Sequence, residues 1–182
     1  YELLEKVPIS VRKHLENADP KQETPKVDDF EREGIKAHNL LLASSGTVCE
    51  AARRRAEELG YNSMILSTVL EGESREAGIV LAGIAKEVET NGRPLKPPCA
   101  LIVGGETTVT IVGQPGEGGR NQEFALGASL KIDGSRNIAI ASIGTDGTDG
   151  PTDIAGAVVD GYTVERAKQK GIDVFENLVR HN

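Results

Sequence analysis

Short apolar runs that do not alternate, each emptying into a loop of small residues, set the tightest limit on what this chain can fold into. Residues 39–43 (NLLLA), 100–103 (ALIV) and 137–143 (NIAIASI) are such runs, followed by Ser44 to Thr47, by the GGETT loop 104–108 and by GTDGTDGPTD, residues 144–153. Strands that are apolar on both faces belong inside a parallel sheet covered by helices. Helical spacing fills the intervals. Val48, Ala51, Ala52, Ala56 and Leu59 recur until Gly60, and Ala77, Val80, Leu81, Ile84, Ala85 and Val88 mark a helix over 71–91 that Asn91 and Gly92 end. A further strand is expected at 63–67 (SMILS), and a helix at 121–130 with Phe124, Ala125 and Ala128 turned inward. Residues 109–112 are expected to turn back on 100–103 as a hairpin. Residues 155–159 fit either a strand or a helix start, and 163–170 a short helix stopped by Gly171. The order β-α-β-α-ββ-α-β predicts an α/β fold with a mostly parallel, mixed sheet.

Composition agrees. Glycine accounts for 21 of 182 residues and aromatic side chains for 3%, so the core is expected to consist of Ile, Val, Leu and Ala, with glycine kept for loops where backbone approaches something closely. Residues 1–37 differ from the rest: Pro8, Pro20 and Pro25 punctuate a charged stretch in which only Leu3, Leu4, Val7, Val11 and Leu15 make an apolar stripe. Helix fragments and a solvated linker are expected there.

Several function classes drop out. With 21 basic against 28 acidic side chains, a net charge of −7, the chain lacks the cationic surface that bulk nucleic-acid binding requires. No apolar run approaches the roughly 20 residues of a membrane span. The opening YELLEKVPIS has neither a basic region nor an apolar core of a secretory signal. Cys49 and Cys99, distant and without CxxC spacing, suit a reducing, cytoplasmic setting. His14, His38 and His181 show no triad or metal spacing, and there is no GxSxG, GxGxxG or GxxxxGK[ST].

The loops that remain lie at the carboxyl ends of expected strands, where open α/β sheets bind ligands. In Gly118, Gly119, Arg120 and Asn121 the glycines free the backbone, the following helix adds N–H groups and the guanidinium adds a fixed positive fork, an arrangement suited to phosphate or carboxylate. Spacing alone leaves this equal to a surface loop in which Arg120 pairs with a neighbour such as Glu123. Asp146, Asp149 and Asp153 share one loop with three threonines. Mg²⁺ is held by one or two carboxylates plus phosphate oxygens, which makes Asp146 and Asp149 candidate ligands, although Asp residues in such loops more often form turns. Gly104, Gly105, Glu106, Thr107 and Thr108 offer a carboxylate and two hydroxyls, or only a turn unless another loop converges on them. Ser44 opens a helix, where capping is the simpler role.

The stretches GGETTVTIVGQPGEGGRNQEFAL (104–126) and ASIGTDGTDGPTDIAGAVVDG (141–161) resemble the MOFRL region of type II glycerate kinases, once labelled hydroxypyruvate reductases. ASSGTVCEAARRRAEELGY and LEGESREAG resemble the segment before it in the same enzymes. The resemblance implies a Rossmann-like, three-layer fold in a two-domain enzyme, with 1–37 as a helical linker, 38–96 as the βαβα end of the larger domain and 97–182 as a truncated MOFRL domain. It implies transfer of the ATP γ-phosphoryl group to D-glycerate with Mg²⁺. Arg120 then matches the active-site arginine, and Ser44, Gly104, Gly105, Glu106, Thr107, Thr108, Gly118, Gly119, Asn121, Asp146, Asp149 and Asp153 lie near substrate or nucleotide. Family members supply a lysine, a glycine-serine-rich loop and a closing TGPTGTN-like segment that have no counterpart here, so a fragment inactive by itself is expected. A homo-oligomer is compatible with this reading. The older label supplies a rival, an NAD(P)H-dependent reductase, and a module that binds without turnover is a third reading.

Overall fold

The computed structural model describes residues 7–182 and divides the chain into two compact units, 1–42 and 43–182. In the first, helix α1 (Ile9–Glu16), a 3₁₀ turn (Pro20–Gln22) and helix α2 (Val27–Arg32) bury none of their residues. Leu3 and Leu4 of the expected apolar stripe lie outside the described residues. Residues 39–43 do not form the expected strand, and Leu40, Leu41 and Leu42 are 81%, 84% and 92% exposed. A strand exists through its ladder, and the ladders formed join other segments.

The second unit runs α3 (Ser45–Glu58), β1 (Asn62–Leu70), α4 (Ser74–Asn91), β2 (Cys99–Gly105), α5 (Arg120–Ile132), β3 (Ala139–Ile143), β4 (Gly156–Asp160), α6 (Thr163–Gln169) and α7 (Val174–Val179). Strands β1 and β2 are parallel, from Asn62 opposite Cys99 to Leu70 opposite Gly105. Parallel neighbours need a crossover, and α4 supplies it. Strands β3 and β4 are antiparallel, from Ala139 opposite Asp160 to Ile143 opposite Gly156. The fold is therefore α/β with parallel and antiparallel pairing, and 155–159 resolves as strand.

Helix α3 packs on β1 and β2, α5 packs on β3 and β4, and α4 lies along α5. Phe124 of α5 is buried, and the core cluster of Ala82, Ala125, Ala128, Ile132 and Val159, flanked by Ile138, Ile140 and Ala157, is aliphatic. Such small residues allow close helix approach. At Gly78 an added Cβ would press into the Phe124 carbonyl, and at Gly127 into the Arg75 backbone. The buried seam of α4 is thus Ser74, Gly78, Ala82 and Val88, while Val80, expected inward, is 63% exposed.

The expected hairpin of 100–103 with 109–112 is not formed. After β2 the chain crosses the start of α4 instead: Glu106 N–H donates to Leu70 O (2.8 Å), Thr108 N–H to Gly72 O (2.9 Å) and Ser74 N–H to Thr108 O (2.8 Å). These bonds lead 106–108 away from β2, whose residues 100–103 already pair with β1, and Ile111 and Val112 stay exposed.

Candidate functional site

Helix α5 begins at Arg120, and its first N–H groups have no partner within the helix. Asp149, 2% exposed, supplies one. Its Oδ1 accepts from the Asn121 backbone N–H and side-chain Nδ2, each at 3.0 Å, and its Oδ2 from the Gln122 N–H at 2.8 Å and Nε2 at 3.2 Å. Thr152 Oγ1 donates to the Asp149 carbonyl (2.7 Å) and lies 3.0 Å from Gln122 Nε2. Ser142 Oγ donates to Asn121 Oδ1 (2.7 Å) and ties the helix start to β3. The helix terminus that spacing offers to a phosphate therefore holds the protein's own carboxylate. The loop before it is engaged as well, because Gly116 N–H donates to Arg180 O (2.7 Å) and Gly118 N–H to His181 O (3.1 Å).

The guanidinium of Arg120 remains on the surface and turns to the other loop. Its Nη1 donates to Glu106 Oε1 at 2.6 Å, with both side chains well exposed. The partner is Glu106 of GGETT and not Glu123, so the two loops converge. GGETT is itself fixed: Ser74 is fully buried and its Oγ lies 2.7 Å from Thr107 Oγ1. Glu73 accepts from the Thr110 hydroxyl and N–H, and these bonds hold its carboxyl below the usual carboxylate range.

An open cavity of about 1450 Å³ collects Ser44, Gly104, Gly105, Glu106, Thr107, Arg120, Asn121 and Asp146 on its lining. Strands β2 and β3, the start of α3 and the apolar Leu81, Ala85, Val88 and Phe124 also line it. It exceeds the roughly 300–1,000 Å³ of ordinary small-molecule sites.

Residues 99–182 match the MOFRL family profile. This part of the chain belongs to the MOFRL family. The whole chain is 46% identical to a protein named glycerate 2-kinase from Pyrococcus horikoshii, of which it spans 40%. A solved glycerate kinase from Thermotoga maritima superposes with a TM-score of 0.76 at 39% identity, over 86% of this chain and 42% of that one. A protein named putative hydroxypyruvate reductase from Agrobacterium vitis is 38% identical over 143 residues, 78% of this chain and 37% of its own length.

Within the MOFRL region the other candidate residues fall into place unevenly. Thr108, Gly118, Gly119, Asp149 and Asp153 do not line the cavity. Gly119 packs against Asp149, and Asp153 is exposed. Asp146 accepts one bond, from Thr148 N–H at 3.3 Å. Among the described residues no three His, Cys, Asp or Glu side chains gather as a metal site. Asp149, a candidate Mg²⁺ ligand by sequence, instead has both oxygens filled by four N–H donors. Outside the MOFRL region, Ser44 caps α3 by accepting from Thr47 N–H (3.3 Å).

Sequence reading missed one constellation. Glu123, 5% exposed, accepts from Arg75 Nε (2.9 Å), and its Oε2 lies 2.8 Å from His181 Nδ1. The available signal was Glu123 itself, a charge beside Phe124 and Ala125 on the inward face of a helix, which requires a buried partner.

Proposed function

We propose that this chain carries the Arg120 side of a glycerate kinase active site, which moves the γ-phosphoryl group of ATP to D-glycerate and gives 2-phosphoglycerate. The carrying observation is the Arg120–Glu106 contact at 2.6 Å, which joins two loops at the mouth of one cavity. The chain's 46% identity to a glycerate 2-kinase gives that contact its context.

Phosphoryl transfer asks a protein mainly for positioning and charge stabilisation. Arg120 sits on the first residue of a helix whose start Asp149 fixes, so its guanidinium reaches the cavity from a rigid base. Glu106 orients one nitrogen and leaves the others to face the oxygens of a transferring group. Thr107 and Asn121 border the same space, their side chains held in place by Ser74 and by Asp149 and Ser142. Mg²⁺, when bound, supplies neutralisation of phosphate charge; Asp146, with one carboxylate oxygen unengaged at the cavity lining, fits its chemistry of few carboxylates and many phosphate oxygens. Asp149 does not fit, since N–H donors surround it.

The test is kinetic, in a protein of the relatives' full length carrying this sequence. Arg120→Ala should lower kcat/KM about 10²–10³-fold, as for loss of a transition-state donor. Unchanged kinetics would remove Arg120 from the reaction. Direct coupling to enolase, without a mutase, reads 2-phosphoglycerate alone. Oxidation of NADH by hydroxypyruvate at comparable rates would favour the reductase, whose name the Agrobacterium vitis relative carries. Heat on mixing the 182-residue chain with ATP–Mg²⁺ or glycerate would mark a binding module.

A further inference from the structure

The Arg75–Glu123–His181 cluster, with Glu123 and His181 buried and Arg75 half-buried, lies off the cavity and has no part in the chemistry above. Its three members come from distant parts of the chain. Arg75 is the second residue of α4, Glu123 lies three residues after Arg120 in α5, and His181 follows α7. Arg75 Nε and His181 Nδ1 approach opposite oxygens of one carboxylate at 2.9 and 2.8 Å, and Arg75 Nη2 is 3.2 Å from the same Nδ1. Glu123 accepts, so Nδ1 carries the hydrogen, and the guanidinium contact with that nitrogen is packing, not a second hydrogen bond.

The backbone beside His181 holds the glycine-rich loop. Arg180 and His181 carbonyls accept from Gly116 and Gly118, and Asn182 Oδ1 accepts from Glu117 N–H at 3.3 Å. A Cβ at Gly118 would stand 2.9 Å from the His181 carbonyl, so the two strips of backbone lie in direct contact. His181 has a φ of 53°, a left-handed conformation that an L-residue adopts at a cost. Something must hold it there, and the side chain's bond to Glu123 does so. At the other end, Arg75 adjoins Ser74, whose hydroxyl meets Thr107 of GGETT.

We propose that Arg75, Glu123 and His181 are positioning residues that set Arg120 against Glu106: His181 moulds the loop leading into Arg120, Glu123 locks that mould to the helix carrying it, and Arg75 ties both to the loop carrying Glu106. This rests on the reading of Arg120 as the transfer-site cation. None of the three touches the reacting groups.

The experiment compares His181→Leu, which removes the donor, with His181→Asn, whose amide replaces Nδ1–H, in the full-length enzyme. His181→Leu is expected to lower kcat about 10–100-fold, the usual cost of losing a supporting contact behind an active group, with KM changed less than threefold. His181→Asn is expected to recover most of that loss. Amide ¹⁵N–¹H spectra of Gly116, Gly118 and Arg120 supply the second readout, shifted in His181→Leu and near wild type in His181→Asn. If His181→Leu does not fold, Glu123→Gln replaces it, with the same expectations for kcat and the three amides. Wild-type kcat and unmoved amides in the donor-deleting variant would overturn the proposal, as would an Asn variant no better than Leu. If wild-type protein transfers no phosphoryl group, the reading of function fails, and the amide shifts still decide whether His181 positions the loop.

Discussion

Removing the carboxylate of Asp149 should be the most damaging single change near the site, although Asp149 lies off the cavity. Asp149→Ala strips the acceptor from the N–H groups of Asn121 and Gln122 and from both their side-chain amides, in a place 2% exposed. Each orphaned buried donor costs about 1–3 kcal/mol, and a lost helix cap alone about 0.5–2 kcal/mol. The side-chain amides can turn away and water can enter the space left by the carboxylate, so the two backbone donors set the scale, at about 2–6 kcal/mol. Asp149→Asn keeps one oxygen but turns an NH₂ toward two donors, and should lose roughly half as much. Urea unfolding of wild type and both variants, followed by circular dichroism, measures the differences, provided the transitions share one slope. An Asp149→Ala protein within about 0.5 kcal/mol of wild type, the scale of an ordinary surface change, would refute the idea that this carboxylate fixes α5.

Other outcomes follow from the same geometry. Gly78→Ala should cost about 1–3 kcal/mol by overpacking the α4–α5 seam, because the clash is with the Phe124 carbonyl and no side chain can swing clear; thermal unfolding reads it. Glu73 has a folded-state pKa below its unfolded value, so its contribution to stability is full above the ordinary carboxylate range and lost as pH falls through the lowered folded value. Thr110→Val removes the hydroxyl donor and should move the Glu73 carboxyl ¹³C titration upward; an unmoved midpoint would contradict the stated cause.

Much of the order of elements could be read from apolar periodicity, since β1, α4, β2, α5 and β3 each carry a run long enough to declare itself. Residues 39–43 and 109–112 have equally good strand composition and form no strand, because pairing is decided by what lies alongside and not by the run itself. The site was legible as a set of loops but not as contacts. Glu106 and Arg120 are 14 residues apart, and only the course of 106–110 across the start of α4 brings them together. Asp149 shows why glycine-rich helix starts mislead: the same N–H groups that suit a phosphate suit an internal carboxylate 28 residues away. The role of His181 had no signal at all, since it depends on residues 180–182 returning to a loop 63 residues earlier.

The pairing of Arg120 with Glu106 also acts on whatever approaches it. A ligand meets a cation already partly neutralised there, since a carboxylate holds one nitrogen at 2.6 Å and leaves the others open. A singly charged anion that displaces Glu106 exchanges like for like and gains little, whereas one bearing several charges gains on every oxygen it presents. Being exposed, the pair is weak, worth at most about 1 kcal/mol, so the exchange is quick and easily reversed. Where Glu106 gives way, the exchange therefore favours an anion of several charges over one of a single charge.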